Sequence, residues 1–174
     1  MTYFEFYDIP VSFKVDAAAL KRTFYALSKK YHPDFFTLET AEKQAEILEL
    51  STLNSQAYKT LSDFDLRMKY VLELNNALGK EGENKLPQDF LMDMMDINEA
   101  LMELEFDPDA AAVSELKMKV QAIENQLFAE IKPIVDQADA SDTPQYELEK
   151  VKNFYLKKRY LLRIFENLSK FAPL

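Results

Sequence analysis

Both glycines of this 174-residue chain fall inside one stretch, "GKEGENKLPQD", at Gly79 and Gly82. Glycine and proline are the strongest local punctuation in a sequence, so long runs that lack them are free to form unbroken helices. On either side of residues 79–89 the apolar residues recur at three- and four-residue spacing, the period of an amphipathic helix. Such scarcity of glycine also argues against a turn-rich β architecture. The pattern predicts an all-α protein in two parts, residues 1–76 and 88–174, joined by a linker at 77–87. An apolar share of 48% is ample for a core in each.

In the first part, Asp16 is placed to cap a helix running to about Tyr31. At about 100° per residue, Leu20, Phe24, Leu27 and Tyr31 form one stripe, and Arg22, Tyr25 and Lys29 form the opposite one. Pro33 disfavours the helical conformation at His32, so the helix should stop there and residues 34–38 should form a loop. A second long helix is expected from about Glu39 to Leu61, with Ala45, Leu48, Leu53, Ala57 and Leu61 facing inward. Two long helices on a short loop make an antiparallel hairpin. Ser62 can cap a further helix that reaches about Leu78.

Three more helical stretches follow the linker. The first covers about Gln88 to Glu105. The second starts with Asp107 as cap and Pro108 in the first turn, and runs to about Asp136, with Pro133 kinking or ending it. The third follows "ASDTP", with Thr143 or Asp142 capping and Pro144 in the first turn, and reaches about Lys170. Three helices on short connections predict a small bundle.

The composition removes several classes of function. The chain has no cysteine, so disulfides, thiolate catalysis and cysteine-ligated metals are excluded. A single histidine, and carboxylates without calcium-loop spacing, suggest neither a metal site nor a cofactor. A net charge of −9 argues against a nucleic-acid partner. That charge is uneven: residues 16–31 carry a net +3, which leaves −12 for the rest. The start, "MTYFEFYDIP", lacks the features of a signal peptide. No apolar run approaches the ~20 residues of a membrane helix, so a soluble, cytoplasmic protein without a membrane partner is expected. His32 and Asp34 flank a proline at a helix end, with no nearby nucleophile and no phosphate-cradling glycine loop. They make a poor acid–base pair, and an enzyme is not expected. The simplest structural role for His32 is to cap the carbonyls of the preceding helix, with Pro33 as a stop.

The surroundings of His32-Pro33-Asp34 suggest more. The tripeptide follows a basic helical face, occupies the loop of the hairpin, and is followed by "LNSQAYKTLSDFDLRMKY" at residues 53–70. Together these segments resemble the J domain of DnaJ-class co-chaperones, which carries a His-Pro-Asp loop between two antiparallel helices. The resemblance implies docking on a DnaK-class ATPase and stimulation of its ATP hydrolysis. The residues implied are His32, Pro33 and Asp34 with Arg22, Tyr25 and Lys29. J domains often place a basic residue directly after the motif, whereas here Phe35 follows.

The chain has neither a glycine/phenylalanine-rich linker nor a cysteine-rich region. A J domain followed by a small acidic helical domain resembles the HscB family of iron–sulfur cluster co-chaperones, as do the segments "YFEFYDIP" and "DFLMDMMDINEALMELE". That likeness implies that the C-terminal domain binds an IscU-type scaffold protein and that the J domain delivers it to an HscA- or DnaK-class chaperone. The implied scaffold-facing residues are Leu91, Met92, Met95, Asp96, Glu99 and Glu103, with Phe154 on the last helix completing the patch. Apolar residues at helical spacing are ordinarily core, so not all of these can be equally exposed. Any cluster would belong to the scaffold. Two other readings stay open: a J-domain adaptor for a different client, and a helical interaction protein whose His-Pro-Asp is incidental.

Overall fold

A computed structural model describes residues 1–171, which are helical with no strand among them. They divide into two compact units, residues 1–75 with 135–143, and residues 76–134 with the chain from Pro144 onward.

The first unit opens with the one-turn helix α1 (Tyr3–Phe6), held by a capping box. Thr2 Oγ1 accepts from the Glu5 amide at 3.1 Å, and Glu5 Oε2 accepts from the Thr2 amide at 2.6 Å. Helix α2 (Ala17–Lys30) begins where Asp16 accepts from the Ala19 amide at 3.0 Å, as expected of a cap. A single 3₁₀ turn, Pro33–Phe36, occupies the predicted loop and leads to α3 (Ala41–Ser62), which is capped by Thr40. Helix α4 (Phe64–Leu74) is capped by Asp63, which accepts from the Leu66 amide at 2.8 Å. Ser62, the expected cap, is instead the last residue of α3. A carboxylate one position later serves the helix N-terminus better, since it adds charge to the hydrogen bond.

Helices α2 and α3 form the antiparallel hairpin. Their shared interface is partly polar. Asn54 is 1% exposed; its Nδ2 donates to Phe24 O at 3.1 Å and to Ser28 Oγ at 3.0 Å, while its Oδ1 accepts from the Tyr7 hydroxyl at 2.8 Å. One amide thus ties α1, α2 and α3 together. Phe4, Phe13, Leu20, Ile47, Ala57, Leu61, Met68, Val71 and Leu72 of this unit are all buried. Ala45 and Leu48 are exposed, because the inward stripe of α3 runs through Ile47.

Arg67 on α4 is buried, with Nε donating to Phe13 O at 2.8 Å and Nη1 to Leu61 O. Segment 135–143 straps this unit. The Ala140 amide donates to Val11 O at 2.6 Å, Ser12 Oγ donates to Gln137 O at 3.1 Å, and Lys14 pairs with Asp136 at 3.4 Å. The sequence places that segment between two helices of the C-terminal bundle, but its bonds run to the loop ahead of α2.

The second unit contains α5 (Gln88–Asp93), α6 (Met95–Phe106), α7 (Ala110–Val135, whose last residue groups with the first unit) and α8 (Gln145–Ser169). The single helix expected over 88–105 breaks at Met94, whose ψ of −7° departs from the helical value. Helix α7 is capped by Asp109, which accepts from the Ala111 amide at 3.0 Å, two residues later than expected. Pro133 lies inside α7, which ends two residues beyond it at Val135. Thr143 does not cap α8: its hydroxyl donates back to Ala140 O at 2.9 Å, and Pro144 takes the cap position. Phe90, Met94, Ile97 and Leu104 meet Val113, Leu116 and Val120 of α7 and Leu161, Ile164 and Leu168 of α8 in one core. Asn98 Nδ2 donates to the Tyr160 hydroxyl at 2.8 Å, riveting α6 to α8.

Candidate functional site

The His-Pro-Asp loop is built by local rules. Pro33 takes the first position of the 3₁₀ turn, where its fixed φ suits the turn and its missing N–H costs nothing. His32 is the cap, extended at φ −74° and ψ 122°, and its Nδ1 accepts from the Asp34 amide at 3.2 Å. The Phe35 amide donates to His32 O at 3.1 Å. The imidazole therefore caps the turn that follows it, not the carbonyls of α2 that the sequence suggested. Asp34 Oδ2 lies 3.7 Å from His32 Nδ1, and the carboxylate projects into solvent. Gln44 Nε2 on α3 braces the far end, donating to Thr37 O at 3.3 Å and Glu39 O at 2.8 Å. Hydrogen bonds thus hold the loop at both ends.

On α2, Arg22, Tyr25 and Lys29 share an exposed face, as their three- and four-residue spacing requires. Lys21 Nζ sits 5.9 Å from the Tyr25 ring centroid, a cation over an aromatic face. Behind that face, Phe24 stacks on Tyr58 at 4.3 Å and Asn54 locks α2 to α3. Burial pushes the Tyr7 hydroxyl of this network up to about 12, with the neighbouring Tyr58 adding to the shift. The basic face thus stands on a helix that is packed and hydrogen-bonded to α3.

In the C-terminal unit, Met92, Met95, Asp96, Glu99 and Glu103 are exposed and Leu91 is half-buried. Phe90, Met94 and Ile97 turn inward between them. The break at Met94 separates Leu91 and Met92 on α5 from Met95, Asp96, Glu99 and Glu103 on α6. Phe154 is corrected: it is 3% exposed, with its ring 5.9 Å from Phe128, and so is core rather than part of the exposed patch. With Leu127, Ile131, Lys150 and Lys157 it lines a groove of about 350 Å³. Lys157 is also 5.5 Å from the Phe90 ring, between that groove and α5.

A family model described as the HSCB C-terminal oligomerisation domain matches residues 86–169. The Co-chaperone protein HscB homolog of Vibrio cholerae (strain M66-2) is 31% identical over 143 residues, covering 80% of this chain and 82% of its own. The Iron-sulfur cluster co-chaperone protein HscB of Homo sapiens is 30% identical over 168 residues, covering 96% and 67%. The chain belongs to the HscB co-chaperone family. The crystal structure of human HscB superposes with a TM-score of 0.78 at 30% identity, over all of this chain and 84% of that one. The chaperone HscB from Vibrio cholerae gives 0.72 over 98% and 96%, and at 24% identity that likeness speaks for the fold alone.

Several exposed residues of this HscB-family chain lie outside the candidates that its sequence implies. Met102 and Phe106 are two of them. On α6 they lie seven and eleven residues after Met95, the spacing of one helical face, and Phe106 is 87% exposed. The heptad-like spacing was a usable signal, but an apolar residue at helical period reads first as core. Phe35 and Leu38, in the loop expected over residues 34–38, are exposed as well. Among the described residues no helix is long and apolar enough to cross a membrane.

Proposed function

We propose that the chain binds an IscU-type iron–sulfur scaffold through the face around Met92, Met95, Asp96, Glu99 and Glu103. It would deliver that scaffold to an HscA/DnaK-class ATPase in the cytoplasm. Arg22, Tyr25 and Lys29 steer the ATPase onto α2, because clustered positive charge accelerates encounter with an acidic surface. Asp34, held outward by Pro33 and by the His32 cap, accepts charge-assisted hydrogen bonds from a partner arginine. His32 positions the loop and moves no proton. ATP hydrolysis in the chaperone then fixes its grip on the scaffold. The cluster stays on the scaffold, since this chain has no thiolate to ligate it.

One observation carries the reading: a His-Pro-Asp loop braced outward at the end of a basic face, in a chain about 30% identical to a protein named as an iron–sulfur cluster co-chaperone. Leu91 adds to the face from its half-buried position, whereas Phe154, buried against Phe128 and lining the groove, stands outside it. Steady-state ATP turnover of purified DnaK-class chaperones tests the reading, with the wild type compared with His32→Gln. Stimulation should fall to near the basal rate in the variant, with its helical spectrum unchanged, and should rise further when an IscU-type scaffold is added. Stimulation that ignores the scaffold points to an adaptor for another client. No stimulation of any such chaperone defeats the proposal.

A further inference from the structure

His32, Pro33 and Asp34 are followed by two large apolar side chains that face water. Phe35 is 68% exposed and Leu38 is 101% exposed, whereas Phe36 between them is half-buried. A single exposed leucine is ordinary. This pair differs in how it is held. Phe35 stands in the 3₁₀ turn that His32 caps, its ring centroid 5.5 Å from the imidazole. Leu38 sits between Thr37 and Glu39, the two carbonyls that Gln44 grips from α3. Hydrogen bonds on both sides hold the backbone that carries the two side chains, so less backbone entropy would be lost when a partner covers them.

We propose that Phe35 and Leu38 are docking residues for the DnaK-class partner, entering an apolar recess beside the group that accepts Asp34, and that they set which chaperone of that class the chain serves. The proposal rests on the chaperone reading above. Two features fix the occupant. Phe35 adjoins His32, so a footprint that covers the imidazole must also meet the Phe35 ring. The basic face also ends at this loop, with Lys29 and Lys30 closing α2. Charges at the rim of an interface act mainly on the rate of encounter, while aromatic anchors in desolvated recesses supply most of the affinity. The face and the loop thus divide those two tasks within one surface.

The test titrates the full chain against each purified DnaK-class chaperone of the same cell and reads half-maximal concentration and maximal turnover separately. Phe35→Ser with Leu38→Ser should raise the half-maximal concentration for the preferred chaperone by about tenfold or more, roughly 1.4 kcal/mol per tenfold. Maximal turnover should be retained, and preference between chaperones should narrow. Phe35→Leu should stay within about twofold of wild type, since it keeps an apolar side chain of comparable reach. His32→Gln should lose maximal turnover instead. A double-serine variant with wild-type titration curves, beside an inactive His32→Gln, overturns the proposal and leaves the chaperone reading standing. If wild type stimulates no chaperone, both fall. A concentration-dependent dimer in sedimentation that the double-serine variant abolishes would assign the pair to a second copy and overturn the proposal.

Discussion

Asn54 shows how much one buried amide can organise. Its three strong bonds join Tyr7, Phe24 and Ser28 across three helices. Replacing it with leucine removes all three, leaving the Tyr7 hydroxyl only its longer bond to Asn54 O at 3.3 Å and the Ser28 hydroxyl only its bond to Phe24 O, at about 1–3 kcal/mol; denaturant unfolding should report that loss. The network also predicts alkaline sensitivity. The Tyr7 hydroxyl titrates near 12 in the fold, above the ordinary value of about 10, so the folded chain holds a proton that the unfolded chain releases. The stabilisation is therefore complete below about pH 10 and is lost as pH rises towards 12, by roughly 2–3 kcal/mol. Unfolding measured from pH 8 to 11 should show the decline begin, and Tyr7→Phe should remove this group's share of it at the cost of an unpaired Asn54 oxygen.

Helix ends carry much of the element-scale information. Asp16, Thr40, Asp63 and Asp109 each begin a helix with a side chain that accepts from the first turn. Asp63 does two jobs, because its charge also favours the protonated guanidinium of buried Arg67, which burial alone disfavours. Asp63→Ala should cost about 1–2 kcal/mol in thermal or denaturant unfolding, whereas Asp63→Asn keeps the cap and should lose less than half of that. The shifts from Ser62 to Asp63, and from Asp107 to Asp109, have one cause. Several polar residues precede each helix, and which one caps is decided by the backbone angle at which the chain enters. Sequence alone does not hold that angle.

At the scale of the whole molecule, charge is the organising quantity. A net +3 on residues 16–31 stands against −12 elsewhere, so the field around the chain is strongly uneven. An acidic partner surface is drawn to α2 and repelled by the remainder. Raising salt from about 50 to 300 mM shortens the Debye length well below 10 Å. The half-maximal concentration for ATPase stimulation should then rise several-fold through slower association. Arg22→Ala with Lys29→Ala should weaken stimulation at low salt and flatten that dependence. A salt slope unchanged in this variant would show that α2 does not steer.

Much here was written in the chain itself. The all-α class, the hairpin and the exposed Arg22-Tyr25-Lys29 face follow from periodicity and from where proline and glycine stand, because those rules act within a few residues. His32-Pro33-Asp34 was legible as a loop for the same reason. Tertiary structure decided what depends on partners distant in sequence. It buried Phe154 against Phe128, turned the inward stripe of α3 onto Ile47, and broke the patch helix at Met94. It also drew residues 135–143 to the loop ahead of α2, through bonds between groups more than 120 residues apart. Periodicity marks which residues share a face. Only packing settles whether that face meets a core, a partner or water.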